Sequence, residues 1–136
     1  QSFPKEVPGL KIHVCSLVAF DSPAGKPWMP VYIHSKLMIV DDVYTTHGSA
    51  NINTRSMMVD SELNICHEHP EFSQPLRRRL WDLHTKGLGG QDEPKEAFTA
   101  WQEIIGNNKR LQSKKMSPYA PLIEFHYSET SMTDLD

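Results

Sequence analysis

The residues best suited to chemistry fall within positions 33–62, in the run IHSKLMIVDDVYTTHGSANINTRSMMVDSE. His34 and Lys36 are separated by one residue, and Asp41 follows after four more. Gly48, Ser49 and Asn51 come next, with Ala50 between the last two. An imidazole can attack or protonate, and an ammonium can offset a negative charge. A tight loop adds hydroxyl, amide and backbone N–H donors. Together these are the parts of a phosphate site. The same spacing predicts how they are held. Positions 31–40 are rich in β-branched and apolar residues and read as a strand, with His34, Lys36, Met38 and Val40 on one face. The other face, Ile33, Ser35, Leu37 and Ile39, is more apolar. An imidazole and an ammonium on a largely buried strand are costly unless an anion meets them. Asp41 and Asp42 form a turn, positions 43–47 a second strand, and Gly48-Ser49-Ala50-Asn51 the loop beyond it.

This run resembles the HKD motif of the phospholipase D superfamily. The match covers His34, Lys36, Asp41, Gly48, Ser49 and Asn51, and continues through Arg55-Ser56 to Asp60-Ser61-Glu62. The context is similar to the second of the two motifs such enzymes carry, including bacterial secreted lipase effectors, which are toxins. The resemblance implies an α/β fold, a mixed sheet flanked by helices in α-β-α layers. It implies phosphodiester cleavage through a covalent phosphohistidine, one motif histidine attacking phosphorus and the other protonating the leaving alcohol. On this chain His34 is then the acid that later activates water. Lys36 and Asn51 hold the nonbridging oxygens, and Ser49 supports the site by hydrogen bonding. Glu62 is the carboxylate expected to orient His34, with Asp60 as its competitor. Asp41 and Gly48 are structural members of the motif. No metal or other cofactor is called for, because Lys36, Asn51 and the loop donors can offset the phosphate charge.

The expected substrate is the headgroup phosphodiester of a glycerophospholipid, met at a membrane surface. A phosphatidyl transferase of the cardiolipin-synthase kind, a nuclease, and a non-catalytic phosphate- or membrane-binding half share the same parts. An effector would be secreted and act in the periplasm of a target cell or at host membranes. The full HxKxxxxD run occurs once in the chain: His84-Thr85-Lys86 repeats HxK, but Gln91 stands where the aspartate would fall. The second motif is therefore expected from an N-terminal half of the same enzyme or from a second copy of this chain. The catalytic half is expected over residues 1–127, and the acidic, Ser/Thr-rich run 128–136 as a poorly ordered tail. A net charge of −3 lacks the basic excess of a dedicated nucleic-acid binder. No apolar stretch has the length to span a bilayer.

The remaining chain supplies the frame. Positions 10–20 read as a strand, with His13 a strand histidine rather than a ligand. Positions 21–30 hold three prolines and read as a loop. Trp28 there suits either an apolar wall for an acyl chain or ordinary packing. A short helix over 52–59 is capped by Asn51 or Asn53. A strand over 61–67 puts Glu62, Asn64 and Cys66 on one face. His67 and His69 read as polar residues at its end. Positions 70–88 contain a helix whose apolar stripe is Phe72, Leu76, Leu80 and Leu83, with Arg77-Arg78-Arg79 on its solvated face. A second helix covers 94–112, and a late strand falls within 119–127. Cys15 and Cys66 read as two buried thiols.

Overall fold

The computed structural model describes residues 7–125, so the acidic run 128–136 lies outside the described residues. The elements in order are β1 (Cys15–Val18), β2 (Pro30–Val31), β3 (Lys36–Val40), β4 (Tyr44–Gly48), α1 (Thr54–Met58), β5 (Asn64–Glu68), α2 (Pro70–Thr85), α3 (Pro94–Ser113) and β6 (Leu122–Glu124). The fold is α/β, and its strands divide between two three-stranded sheets, β2-β1-β6 and β3-β4-β5. All four pairings are antiparallel. The described residues separate into two compact units, 7–31 with 98–125, and Tyr32–Ala97.

In the first unit, Ile104, Ala120 and Leu122 form the core, and Cys15, Leu17, Trp101 and Ile105 pack against it. Asn108 is 1 % exposed there, and its amide is fully used. Nδ2 donates to Ala120 O and Leu122 O, both at 2.7 Å, and Oδ1 accepts from Tyr119 N at 2.8 Å. A buried amide so satisfied ties β6 to α3. Trp28 is 9 % exposed, and its indole N–H donates to Met116 O at 2.8 Å. Cys15 is half-buried, and burial pushes its thiol up to about 11. Cys66, by contrast, is exposed on β5.

The second unit carries the motif. Its sheet is a meander in which Lys36 pairs with Gly48, and Gly48 with Asn64. The β3–β4 reversal passes through Asp41 and Asp42, both left-handed at φ 53° and 57°. Val43 N closes it on Val40 O at 3.0 Å. Two consecutive left-handed residues are the signature of a type I′ turn, and Asp tolerates that region better than most L-residues.

The strand expected over 31–40 is split. Pro30–Val31 pairs with β1, whereas Lys36–Val40 pairs with β4. Positions 32–35 between them are not strand. Apolar patterning marks extended chain but not its pairing partner, and here the partner changes along the run. His34 is consequently exposed and Lys36 half-buried, not set on a buried strand.

The inward face of α2 also differs from the apolar stripe. Phe72 and Leu83 are 65 % and 67 % exposed, whereas Ser73, Arg77 and Thr85 are buried. Those three recur at spacings of four and eight, so they share one side of the helix. Ser73 Oγ meets Thr45 Oγ1 at 2.7 Å and donates to Val43 O at 2.9 Å. Arg77, expected on a solvated face, is 5 % exposed. Its Nε donates to Asp42 Oδ1 at 2.8 Å and its second amino group to Asp42 Oδ2 at 2.5 Å. The guanidinium also reaches Asp92 Oδ1, Gln91 O and Gly90 O, and stacks 4.7 Å from the centre of the Trp81 ring. One buried fork thus holds the β3–β4 turn to the loop that follows α2.

Candidate active site

Lys36 begins β3, and its Nζ donates to His34 O at 2.8 Å. An ammonium has three donors, so this one bond does not exhaust it. The His34 ring tilts against Tyr32, with centroids 5.9 Å apart. Asp41 lies at the opposite end of the hairpin, five residues or roughly 16 Å of strand from Lys36.

The GSAN loop is held from below by the start of β5 and the residues just before it. Ser49 N donates to Leu63 O at 3.1 Å. Ser49 Oγ donates to Glu62 Oε2 at 2.5 Å and accepts from Leu63 N at 3.0 Å. Ala50 N donates to Asn64 Oδ1 at 3.1 Å, and Asn64 Nδ2 to Thr46 Oγ1 at 3.4 Å. Beyond the loop, Asn53 caps α1 by accepting from Ser56 N at 2.8 Å. Arg55 pairs with Asp60 at 2.8 Å.

The Glu62 carboxylate is held below the usual range, first by the Ser49 hydroxyl, then by Ser56, with Lys36 and Arg55 adding favourable charge. Glu62 is thus placed against Ser49 and Ser56, within the electrostatic reach of Lys36.

Gly48 is required by close approach. A Cβ there would overlap Leu63 O and Asn64 Oδ1 and lie 2.6 Å from Asn64 Cα. We expect Gly48→Ala to destabilise the protein by about 1–3 kcal/mol, because backbone must move to admit the methyl group. Gly106 in α3 is the control: nothing lies within 4 Å of its Cβ position. There alanine should stabilise by roughly 0.5–1 kcal/mol through helix propensity. Thermal unfolding of the two variants checks both signs.

A pocket of about 400 Å³ opens on this face of the sheet. Lys36, Asn51, Asn64 and Thr46 supply its polar lining, and Met38, Ile52 and Met57 its apolar lining. Of the expected site residues, Lys36 and Asn51 meet in this pocket, while Ser49 and Glu62 bond to each other at its loop. Trp28 belongs to the other unit, where its indole is committed to Met116. Asn64 and Thr46 line the pocket although neither is a motif residue. The signal for Asn64 lay in strand alternation, which sets it on the face of Glu62. Among the described residues, no group of three or more His, Cys, Asp or Glu side chains could hold a metal ion. His69 pairs instead with Glu71, Nδ1 to Oε1, at 3.1 Å.

A family profile described as "Cardiolipin synthase, PLD-like domain" matches residues 9–84. The chain belongs to the phospholipase D superfamily. It is 50 % identical over 64 residues to phospholipase D alpha 4 of Arabidopsis thaliana, covering 42 % of this chain and 8 % of that protein. Phospholipase D zeta 2 of the same plant is 41 % identical over 78 residues, covering 56 % and 7 %. Phospholipase D2 of Bos taurus is 43 % identical over 68 residues, covering 48 % and 7 %. The chain thus matches less than a tenth of the length of these superfamily members. No solved structure matches it.

Proposed function

We propose that this chain is the second-motif half of a phospholipase D that hydrolyses the headgroup phosphodiester of glycerophospholipids. The observation that carries this reading is the mixed lining of the pocket. Lys36 and Asn51 are suited to the nonbridging oxygens of a phosphodiester. Met38, Ile52 and Met57 offer an apolar wall beside them, which suits an amphiphile better than a polyanion. The net charge of −3 points the same way.

In this reading a histidine of the other motif attacks phosphorus. The bond from phosphorus to the headgroup oxygen breaks, and His34 delivers a proton to that oxygen. His34, now neutral, takes a proton from water as the water displaces the histidine nitrogen from phosphorus. Phosphatidic acid leaves, and both histidines return to their starting forms. The second motif comes from an N-terminal half of the enzyme or from another copy of this chain. Residues 1–127 are the catalytic half in this account.

The family profile's description favours one further outcome, transfer of the phosphatidyl group to an alcohol in place of water. The test uses the complete enzyme with vesicles of phosphatidylethanolamine or phosphatidylglycerol, and separately with single- and double-stranded DNA. Phosphatidic acid from vesicles, with no DNA cleavage, is the expected result. Cardiolipin from phosphatidylglycerol would move the assignment to a transferase, and DNA cleavage without lipid turnover would overturn it.

A further inference from the structure

We propose that Asn64 is a positioning residue for catalysis: its side-chain amide fixes the Ala50 N–H and so aims the Ser49–Asn51 segment at the phosphate held by Lys36. This deepens the phosphodiesterase reading and rests on it.

Three observations converge on Asn64. First, its Oδ1 accepts from Ala50 N at 3.1 Å, in the middle of the loop between Ser49 and Asn51. A backbone N–H can only donate, so the amide must present oxygen here and turn its NH2 outward. That NH2 reaches Thr46 Oγ1 at 3.4 Å, on the strand that leads into the loop. Second, the register pairs Asn64 with Gly48. A Cβ at position 48 would occupy the place of Asn64 Oδ1, so the glycine opens the space through which the amide passes under the loop. Third, Asn64 and Thr46 line the same pocket as Lys36 and Asn51. The amide therefore connects the backbone of the loop to the sheet among the residues that line the pocket.

Ser49 anchors one end of the loop through Glu62 and Leu63. Asn53 fixes the chain beyond it by capping α1. Asn51 lies between these two anchors, and Asn64 supplies the tie immediately before it. Releasing that tie frees Asn51 to drift. A displacement of about 1 Å in a group that meets the transition state can cost on the order of 100-fold in rate.

The experiment uses the complete enzyme and two variants. Asn64→Ala removes the acceptor for Ala50 N. Thr46→Val keeps Asn64 but removes its partner on β4. We expect kcat to fall about 10- to 100-fold in Asn64→Ala with KM within about threefold, and to fall less in Thr46→Val. Hydrogen exchange at the Ala50 amide should quicken at least about tenfold in Asn64→Ala, as expected for a lost hydrogen bond. A merely structural role would lower the thermal midpoint without this division between kcat and KM. If Asn64→Ala does not fold, the graded loss of kcat in Thr46→Val carries the test, and unchanged kcat there overturns the proposal. A folded Asn64→Ala enzyme with wild-type kcat, or with unchanged Ala50 exchange, also overturns it. An inactive wild-type enzyme would instead overturn the phosphodiesterase reading, and the catalytic role of Asn64 with it.

Discussion

Replacing His34 by alanine should lower phospholipid turnover of the complete enzyme by about 10²- to 10⁴-fold, the range that a positioned general acid contributes. In the proposed reaction the headgroup would leave as an alkoxide, a poor leaving group unless it is protonated as the bond breaks. His34 stands at the entry to β3, where its carbonyl holds Lys36 Nζ. Alanine keeps that carbonyl, so Lys36 retains its anchor while the imidazole is lost. His34 is exposed, and truncating it should leave stability within about 0.5 kcal/mol. Activity and fold should therefore separate cleanly: a far-ultraviolet spectrum and a melt like wild type, with turnover nearly gone. Near-normal turnover by a folded His34→Ala enzyme would remove this residue from the mechanism.

Arg77→Ala should be the most damaging single change to stability, by about 3–5 kcal/mol, because it strands a partly buried carboxylate. Asp42 loses both hydrogen bonds from the fork, and Gly90 O and Gln91 O lose theirs. Asp92 retains Arg78. The acid limb of stability should change too. The Arg77 hydrogen bonds hold the Asp42 carboxyl below its ordinary value, and Arg78 followed by Arg77 holds Asp92 down to about 2. A depressed carboxyl contributes stability that is fully present above its ordinary value of 3.8 and is lost as pH falls through the lower folded value. Wild type should lose stability between roughly pH 4 and 2, and Arg77→Ala should lose less over that window. Pairing Arg77→Met with Asp42→Asn should recover part of the loss, since the pair is then removed together and asparagine tolerates the left-handed turn. Melting curves against pH for the three proteins check each sign. An Arg77→Ala protein as stable as wild type would show that the fork holds nothing together.

The motif was legible because its chemistry is local. His34 precedes β3, Lys36 begins it, Gly48 ends β4, and Ser49 and Asn51 lie in the loop beyond, and short-range spacing reports such neighbours directly. The meander around them followed for the same reason, since Asp41-Asp42 is a strong turn signal between two apolar runs. What escaped was long-range. The alternation over positions 31–40 could not reveal that β2 and β3 belong to different sheets, because that depends on partners elsewhere in the chain. The α2 stripe misled because apolar spacing ranks Leu76 and Leu83 above Ser73 and Arg77. Yet Ser73 finds Thr45, and Arg77 finds Asp42 and Asp92, so polar residues turn inward once their hydrogen bonds are met. Asn108 was overlooked for the same reason. A buried amide looks like a surface residue until its carbonyl partners, here Ala120 and Leu122, are known.

The role of His34 is tested most directly by changing the leaving group. A phosphatidyl ester of p-nitrophenol expels a stable phenolate that needs no proton, whereas phosphatidylethanolamine expels an alkoxide that does. Rapid-mix kinetics would follow both substrates with the complete enzyme and its His34→Ala variant. The variant should release about one equivalent of p-nitrophenolate per site at close to the wild-type rate and then stall, because water attack still needs His34 as its base. With phosphatidylethanolamine it should show no burst, and turnover about 10²- to 10⁴-fold below wild type. A variant that releases no p-nitrophenolate, or that turns over both substrates like wild type, would contradict the assignment of His34 as the acid and base of this site.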